Sequence, residues 1–246
     1  MEMLEMKVEI KTPDGIADGF LFQSEEAQHP GVIYLTDIGG IRPAQNQAAR
    51  RLAERGYTVL MPNIFYRTGR PPLIQFPLKH GEEAAKRMAE LTTPLTPEAV
   101  ARDAGAYVDF LLSQRSTTQG PIGVVGYCYS GAFAMRIAAA RPDKVVAMAS
   151  FHAGRLIVDT PQSPHLLLPQ IKARLYFGHA VQDKSMPQES IEKFEAALRE
   201  WGGQFESETY EGAYHSWTTL DSPVYNQPQA ERAFQKLTQL FAETLQ

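Results

Sequence analysis

The chain has 246 residues, 43% of them hydrophobic and 21% charged, with a formal net charge of -4. That length fits one large domain or two small ones, and the charge balance gives no support for a nucleic-acid surface. The single cysteine, Cys128, permits no internal disulfide and none of the multi-thiol zinc or iron–sulfur patterns.

No apolar run approaches the roughly 18 residues that a membrane helix needs. The opening 1-MEMLEMKVEIKTPDG-15 lacks the apolar core and cleavage site of a secretory signal. The expectation is a cytoplasmic protein, a monomer or small homo-oligomer, that needs no metal, cofactor, membrane or nucleic acid. Residues 1–246 are expected to form one domain.

In chain order, 5-EMKVEIKT-12 and 16-IADGFLFQ-23 read as a strand pair joined by a turn at Pro13-Asp14-Gly15. The short apolar run 32-VIYL-35 suits a strand buried on both faces of a parallel sheet. A helix is predicted over 43–55, with Pro43 in its first turn and Gly56 at its stop. Strand 57-YTVLMP-62 precedes a long proline-rich loop, 66-YRTGRPPLIQFPLKHG-81, of a kind that is often functional. Helices follow at about 82–91 and 97–113, the second with an apolar stripe through Val100, Ala104, Tyr107, Val108, Leu111 and Leu112.

Strand 122-IGVVGY-127 runs into Cys128 and an alanine-rich helix, 131–140, that is apolar nearly all round. The alternation continues with strand 145-VVAMASF-151, a proline-containing loop and strand 173-ARLYFG-178. Helix 188–201, strand 204-QFESETY-210 and a final helix from about 228 complete the chain. Strands alternating with helices predict an α/β fold, a mostly parallel sheet covered on both faces with right-handed crossovers and no large separate lid.

Ligands in such sheets bind at the carboxyl ends of the strands. Four reactive side chains follow strands: Asp37, Cys128, Asp183 and His215. The order nucleophile, acid, histidine is that of the α/β-hydrolase triad. The neighbours of Cys128 support a nucleophile elbow, because residues two positions either side of the nucleophile must be small. Here they are Gly126 and Ser130, the serine standing where glycine is usual. A lone cysteine is more often a buried hydrophobe, yet a core cysteine has no need of such neighbours. A helix N-terminus after the turn favours a thiolate. In 36-TDIGG-40 the spacing is wrong for a dinucleotide or phosphate loop. Its functional reading is an oxyanion donor, the Ile38 N–H; the alternative is a simple tight turn. His152 follows a strand and is a weaker candidate for lining the site.

The chain resembles the dienelactone hydrolase family of α/β-hydrolases. The resemblance rests on 32-VIYLTDIGGIRP-43, 55-RGYTVLMPNIFYR-67, 124-VVGYCYSG-131, 178-GHAVQDKSMP-187 and 210-YEGAYHSW-217. A cysteine in the elbow is its specific mark. The resemblance implies Cys128 as nucleophile, His215 as base, Asp183 as its orienting acid, and the backbone N–H groups of Tyr129 and Ile38 as oxyanion donors. It also puts Asp37 where the family carries a glutamate that touches the resting thiol. Family members hold a substrate carboxylate with arginines, one of them four residues after the histidine. That position here is Thr219. Arg67, Arg70, Lys79 and Arg87 are the candidate replacements, with Tyr66, His152 and Trp217 as further candidate substrate-binding residues.

The implied reaction is hydrolysis of small esters or lactones, dienelactone-like enol lactones among them, through a thioester. Thiolates are strongly nucleophilic toward activated esters, whereas an amine leaving group competes poorly with expulsion of the thiolate. Two other classes remain: a hydrolase-fold protein that binds a ligand with little turnover, and a redox sensor, for which the chain has no resolving cysteine.

Overall fold

The computed structural model describes residues 3–25, 27–75 and 81–245. Among these residues eight strands form one sheet: β1 (Met3–Thr12), β2 (Gly15–Ser24), β3 (Gly31–Leu35), β4 (Thr58–Pro62), β5 (Ile122–Tyr127), β6 (Val145–Phe151), β7 (Arg174–Ala180) and β8 (Phe205–Tyr210). Their spatial order is β1-β2-β4-β3-β5-β6-β7-β8. The β1–β2 hairpin and the β2–β4 pairing are antiparallel, and every pairing from β4 to β8 is parallel. Among the described residues six α-helices flank the sheet: α1 (Pro43–Ala53), α2 (Glu82–Thr92), α3 (Pro97–Ser113), α4 (Gly131–Ala140), α5 (Gln188–Trp201) and α6 (Gln227–Thr244).

The strand sequences explain the layering. All residues of β3, β4 and β5 are buried, as continuous apolar runs require in a sheet covered on both faces. Their side chains alternate between two cores. Ile33, Leu35 and Val124 join the core under α3, α4 and α5. Val32, Tyr34 and Val125 join the core under α1 and α6. Helix α5 buries Ile191, Phe194 and Leu198 and stops at Gly202, whose φ of 72° lies in the left-handed region. Each such fully buried side chain stabilises the fold by about 1.5–3 kcal/mol.

Two features differ from the sequence expectation. Strand β7 runs on to Ala180, because His179 and Ala180 pair with Thr209 and Tyr210 of β8. The proline-containing loop after β6 holds a 3-10 helix, Pro164–Gln170, packed through Leu168. In the long loop 66–81, Leu73 is buried, while Lys79 lies outside the described residues. No helix among the described residues is long and apolar enough to cross a membrane.

Candidate active site

The chain leaves β5 through a strained residue. Cys128 has φ 55°, a conformation that non-glycine residues adopt only when the surrounding structure holds them there. A short 3-10 turn, Cys128–Ser130, then feeds α4. The turn is so tight that a Cβ on Gly126 would sit 2.4 Å from the Ser130 carbonyl oxygen. Ser130 does more than stay small. Its Oγ accepts the Tyr127 N–H at 3.0 Å and lies 3.0 Å from the Leu35 carbonyl of β3. The hydroxyl thereby links the elbow to the neighbouring strand, a role that a comparison of side-chain sizes does not reveal.

Cys128, Asp183 and His215 meet at the carboxyl edge of the sheet. His215 Nε2 is 3.0 Å from Cys128 Sγ, and Nδ1 is 2.6 Å from Asp183 Oδ2. The other Asp183 oxygen accepts from the Ser185 N–H at 2.8 Å and its hydroxyl at 2.6 Å. Burial disfavours the Asp183 carboxylate, but the bonds from His215 and Ser185 hold its pKa below the usual carboxylate range. Burial likewise opposes charge on His215, and its bonds to Asp183 and Cys128 outweigh that and push its pKa up to about 10. The same bonds favour the protonated form of the imidazole once it has accepted a proton.

Cys128, Tyr129, Asp183, His215 and Ile38 all line one cleft of about 930 Å³. Ile38 belongs to a turn closed by the Gly40 N–H on the Asp37 carbonyl at 3.0 Å and the Gly39 N–H on Asp37 Oδ1 at 2.9 Å. The turn's own bonds thus start one residue beyond the Ile38 N–H.

The expected contact between Asp37 and the thiol is absent among the described residues. Arg42 grips both carboxylate oxygens at 2.6 and 2.8 Å, and Gln45 adds a bond at 3.0 Å. The buried carboxylate is neutralised by a guanidinium on its own side of the turn, away from the cleft.

The candidate substrate residues are also corrected. Arg67 is committed to Asp103 and Asp14, Tyr66 bonds Thr12 and Asp103, and Arg70 pairs with Glu9. Arg87 bonds the Leu73 carbonyl and Glu90. None of the four lines the cleft: Tyr66, Arg67 and Arg70 are held against β1 and α3, and Arg87, on α2, is held to the Leu73 carbonyl and Glu90. Trp217 is fully buried, stacked on Tyr210. His152 is buried behind His215, with φ 42°, its ring edge-on to His215 at 5.4 Å and its Nε2 2.7 Å from Thr218 Oγ1. Burial, then the neighbouring His215, lowers the His152 pKa well below the ordinary histidine value, so it stays neutral.

Among the described residues, the Lys and Arg side chains that line the cleft are Arg136, Arg155 and Lys184. Arg136 comes from α4, and the other two from the loops after β6 and β7. Arg155 takes a left-handed φ of 57° and its N–H bonds the Ser185 carbonyl at 2.9 Å, joining those two loops. The rule that selected Asp183 and His215, residues just after strands, also reaches Arg155 and Lys184. Met88, Leu95, Phe133 and Val158 give the cleft an apolar wall. Among the described residues, no group of three or more His, Cys, Asp or Glu side chains is placed to share a metal ion.

The model of the dienelactone hydrolase family matches residues 17–245. A carboxymethylenebutenolidase of Rhodococcus opacus is 30% identical over 188 residues, 76% of this chain and 69% of the relative. Among solved structures, a Klebsiella pneumoniae protein named for the same family superposes with a TM-score of 0.87 at 19% identity, over 98% of this chain and 99% of that one. A metagenomic structure titled as a dienelactone hydrolase-like promiscuous phosphotriesterase superposes with a TM-score of 0.83 at 19% identity, over the whole of both chains. At those identities the two structures bear on the fold.

Proposed function

Since the chain belongs to the dienelactone hydrolase family, and so is a hydrolase of the carboxymethylenebutenolidase type, we propose that it cleaves small carboxylic esters or lactones through a thioester on Cys128. The reading takes residues 1–246 as one catalytic domain. The observation that carries it is the unbroken chain from Cys128 Sγ through the His215 imidazole to Asp183, at 3.0 and 2.6 Å, opening onto the cleft.

In the proposed reaction His215 takes the thiol proton and the thiolate attacks the substrate carbonyl. The N–H groups of Tyr129 and Ile38 hold the resulting oxyanion; one such donor is worth about 2.7–4 kcal/mol. As the tetrahedral intermediate collapses, the alcohol or enol leaves with the proton from His215. The pKa of His215 then falls, because part of its rise comes from Cys128 and acylation removes that sulfur's capacity for charge. A neutral imidazole is thus restored when a base is needed to activate water. Asp183 holds Nδ1–H and stabilises the imidazolium in both half-reactions.

The cleft's charge supports substrates that carry a carboxylate. Among the described residues it is lined by three cations, Arg136, Arg155 and Lys184, and one carboxylate, Asp183, which is already engaged by His215 and Ser185. Incubation with p-nitrophenyl esters and enol lactones, with and without a carboxylate, tests the function. The expected result is a burst of p-nitrophenol and an acyl mass on Cys128, both lost in Cys128→Ala. Equal slow turnover by the wild type and Cys128→Ala would refute it.

A further inference from the structure

We propose that Arg42, gripped between Asp37 and Asp221, is a positioning residue for the reaction: it holds the turn that presents the Ile38 N–H and the loop that carries His215 in one register. The inference rests on the hydrolytic reading above. Arg42 is not among the residues that line the cleft, and its influence passes through the two carboxylates it binds.

The geometry is that of a two-sided clamp. A guanidinium offers five N–H donors in a rigid plane. Arg42 Nη1 and Nη2 bond the two oxygens of Asp37 at 2.6 and 2.8 Å. Nε and Nη2 bond the two oxygens of Asp221 at 2.8 and 3.1 Å. Nη1 also bonds the Gly40 carbonyl at 3.1 Å. All five donors are thereby matched to acceptors on two loops far apart in sequence. Bidentate pairs of this kind fix orientation as well as distance.

Both gripped loops carry proposed catalytic groups. Asp37 accepts four hydrogen bonds, from Arg42 twice, Gly39 and Gln45, and is only 2% exposed. The Asp37–Ile38 peptide supplies the Ile38 N–H, so locking Asp37 locks the direction in which that donor points. Asp221 sits six residues beyond His215, in a loop that begins with Ser216 at φ 78°. That loop is tied elsewhere by the Thr218–His152 bond and by the Asn226 N–H on the Trp217 carbonyl. Neither tie reaches the oxyanion turn, and the Asp221–Arg42 pair does. The Arg42 guanidinium thus adds a direct tie between the loop carrying His215 and the Ile38 turn, beside the β3–β5 pairing and the Ser130–Leu35 bond that hold the turn against the elbow.

Asp221→Asn is the informative variant. The Asp221 side chain is 36% exposed, and exposed pairs contribute about 0–1 kcal/mol to stability, so the protein stays folded. The expected result is a fall in kcat of about 10-fold, in line with the sensitivity of catalysis to small misplacements. KM should stay within about 2-fold and the melting temperature should hardly move. A direct readout is the infrared carbonyl stretch of the acyl-enzyme formed with a cinnamoyl p-nitrophenyl ester. Loosened oxyanion donors weaken the hydrogen bonds to that carbonyl and raise its frequency. Arg42→Lys, which reaches only one carboxylate at a time, should shift the band the same way. A wild-type kcat and a wild-type band in Asp221→Asn overturn the inference. So does a melting-temperature loss with unchanged kcat per folded molecule, which marks a purely structural pair. A wild type that forms no acyl-enzyme overturns the hydrolytic reading first, and this one with it.

Discussion

Gly126→Ala adds one methyl group at the tightest point of the elbow. The new Cβ would lie 2.4 Å from the Ser130 carbonyl oxygen, 2.8 Å from its carbon and 3.0 Å from Gly131 Cα. All three are backbone atoms, so no side chain can swing aside. Reaching the 3.4 Å of ordinary contact with the oxygen requires a displacement of about 1 Å. Cys128 lies between the two colliding segments, and its Sγ–Nε2 distance is 3.0 Å. A shift of that size carries the sulfur out of hydrogen-bond reach of His215. Overpacking costs about 1–3 kcal/mol, which for a chain of this length corresponds to roughly 2–4 °C per kcal/mol in melting temperature. The loss in kcat/KM is expected to be larger, about 100-fold, because misplacement by about 1 Å acts directly on the attack geometry. Thermal melting and p-nitrophenyl acetate hydrolysis, measured side by side, check both numbers. A Gly126→Ala protein within about 3-fold of wild type in kcat/KM, at an unchanged melting temperature, would refute the argument that this contact sets the elbow.

Ser130→Gly restores the residue usual in elbows yet is expected to destabilise the protein by about 1–3 kcal/mol, since it removes the partner of the buried Tyr127 N–H; denaturant titration measures this. The pKa of His215 is raised to about 10 in the folded protein. Its contribution to stability is therefore complete below the unfolded value near 6.5 and is lost as pH rises toward about 10. The melting-temperature gap between wild type and His215→Gln should accordingly be widest at pH 6 and close toward pH 10; a gap that widens with pH contradicts the sign. Replacing Arg155 and Lys184 together by alanine should raise KM roughly 5- to 30-fold for p-nitrophenyl esters that carry a carboxylate, two exposed charges being worth about 0.5–1 kcal/mol each. Neutral esters should be unaffected, and an equal rise for both would assign the residues to packing.

The sequence determined much of this protein by itself. Continuous apolar runs specify buried parallel strands, and the periodicity of 97–113 and 188–201 specifies helices, because both signals are local. Gly126, Cys128 and Ser130 announce a sharp turn through steric demand alone, and the chain order of Cys128, Asp183 and His215 matches positions just after strands. The partners of charged side chains were decided only by the tertiary structure. Asp37 looked available to the thiol, and Arg67 and Arg70 looked available to a substrate, because each lies in a suitable loop. Asp37 is taken by Arg42, five residues on in the same turn, whereas Arg67 and Arg70 are taken by distant segments, Asp103 and Asp14 for the first and Glu9 for the second. Ion pairs between residues tens of positions apart have no periodicity to read. The cleft's cations, Arg136, Arg155 and Lys184, come from three elements and acquire a common face only when β5, β6 and β7 lie side by side. The same holds for the Arg42 clamp, whose two carboxylates are separated by most of the chain and are brought within reach of one guanidinium by the closing of the sheet.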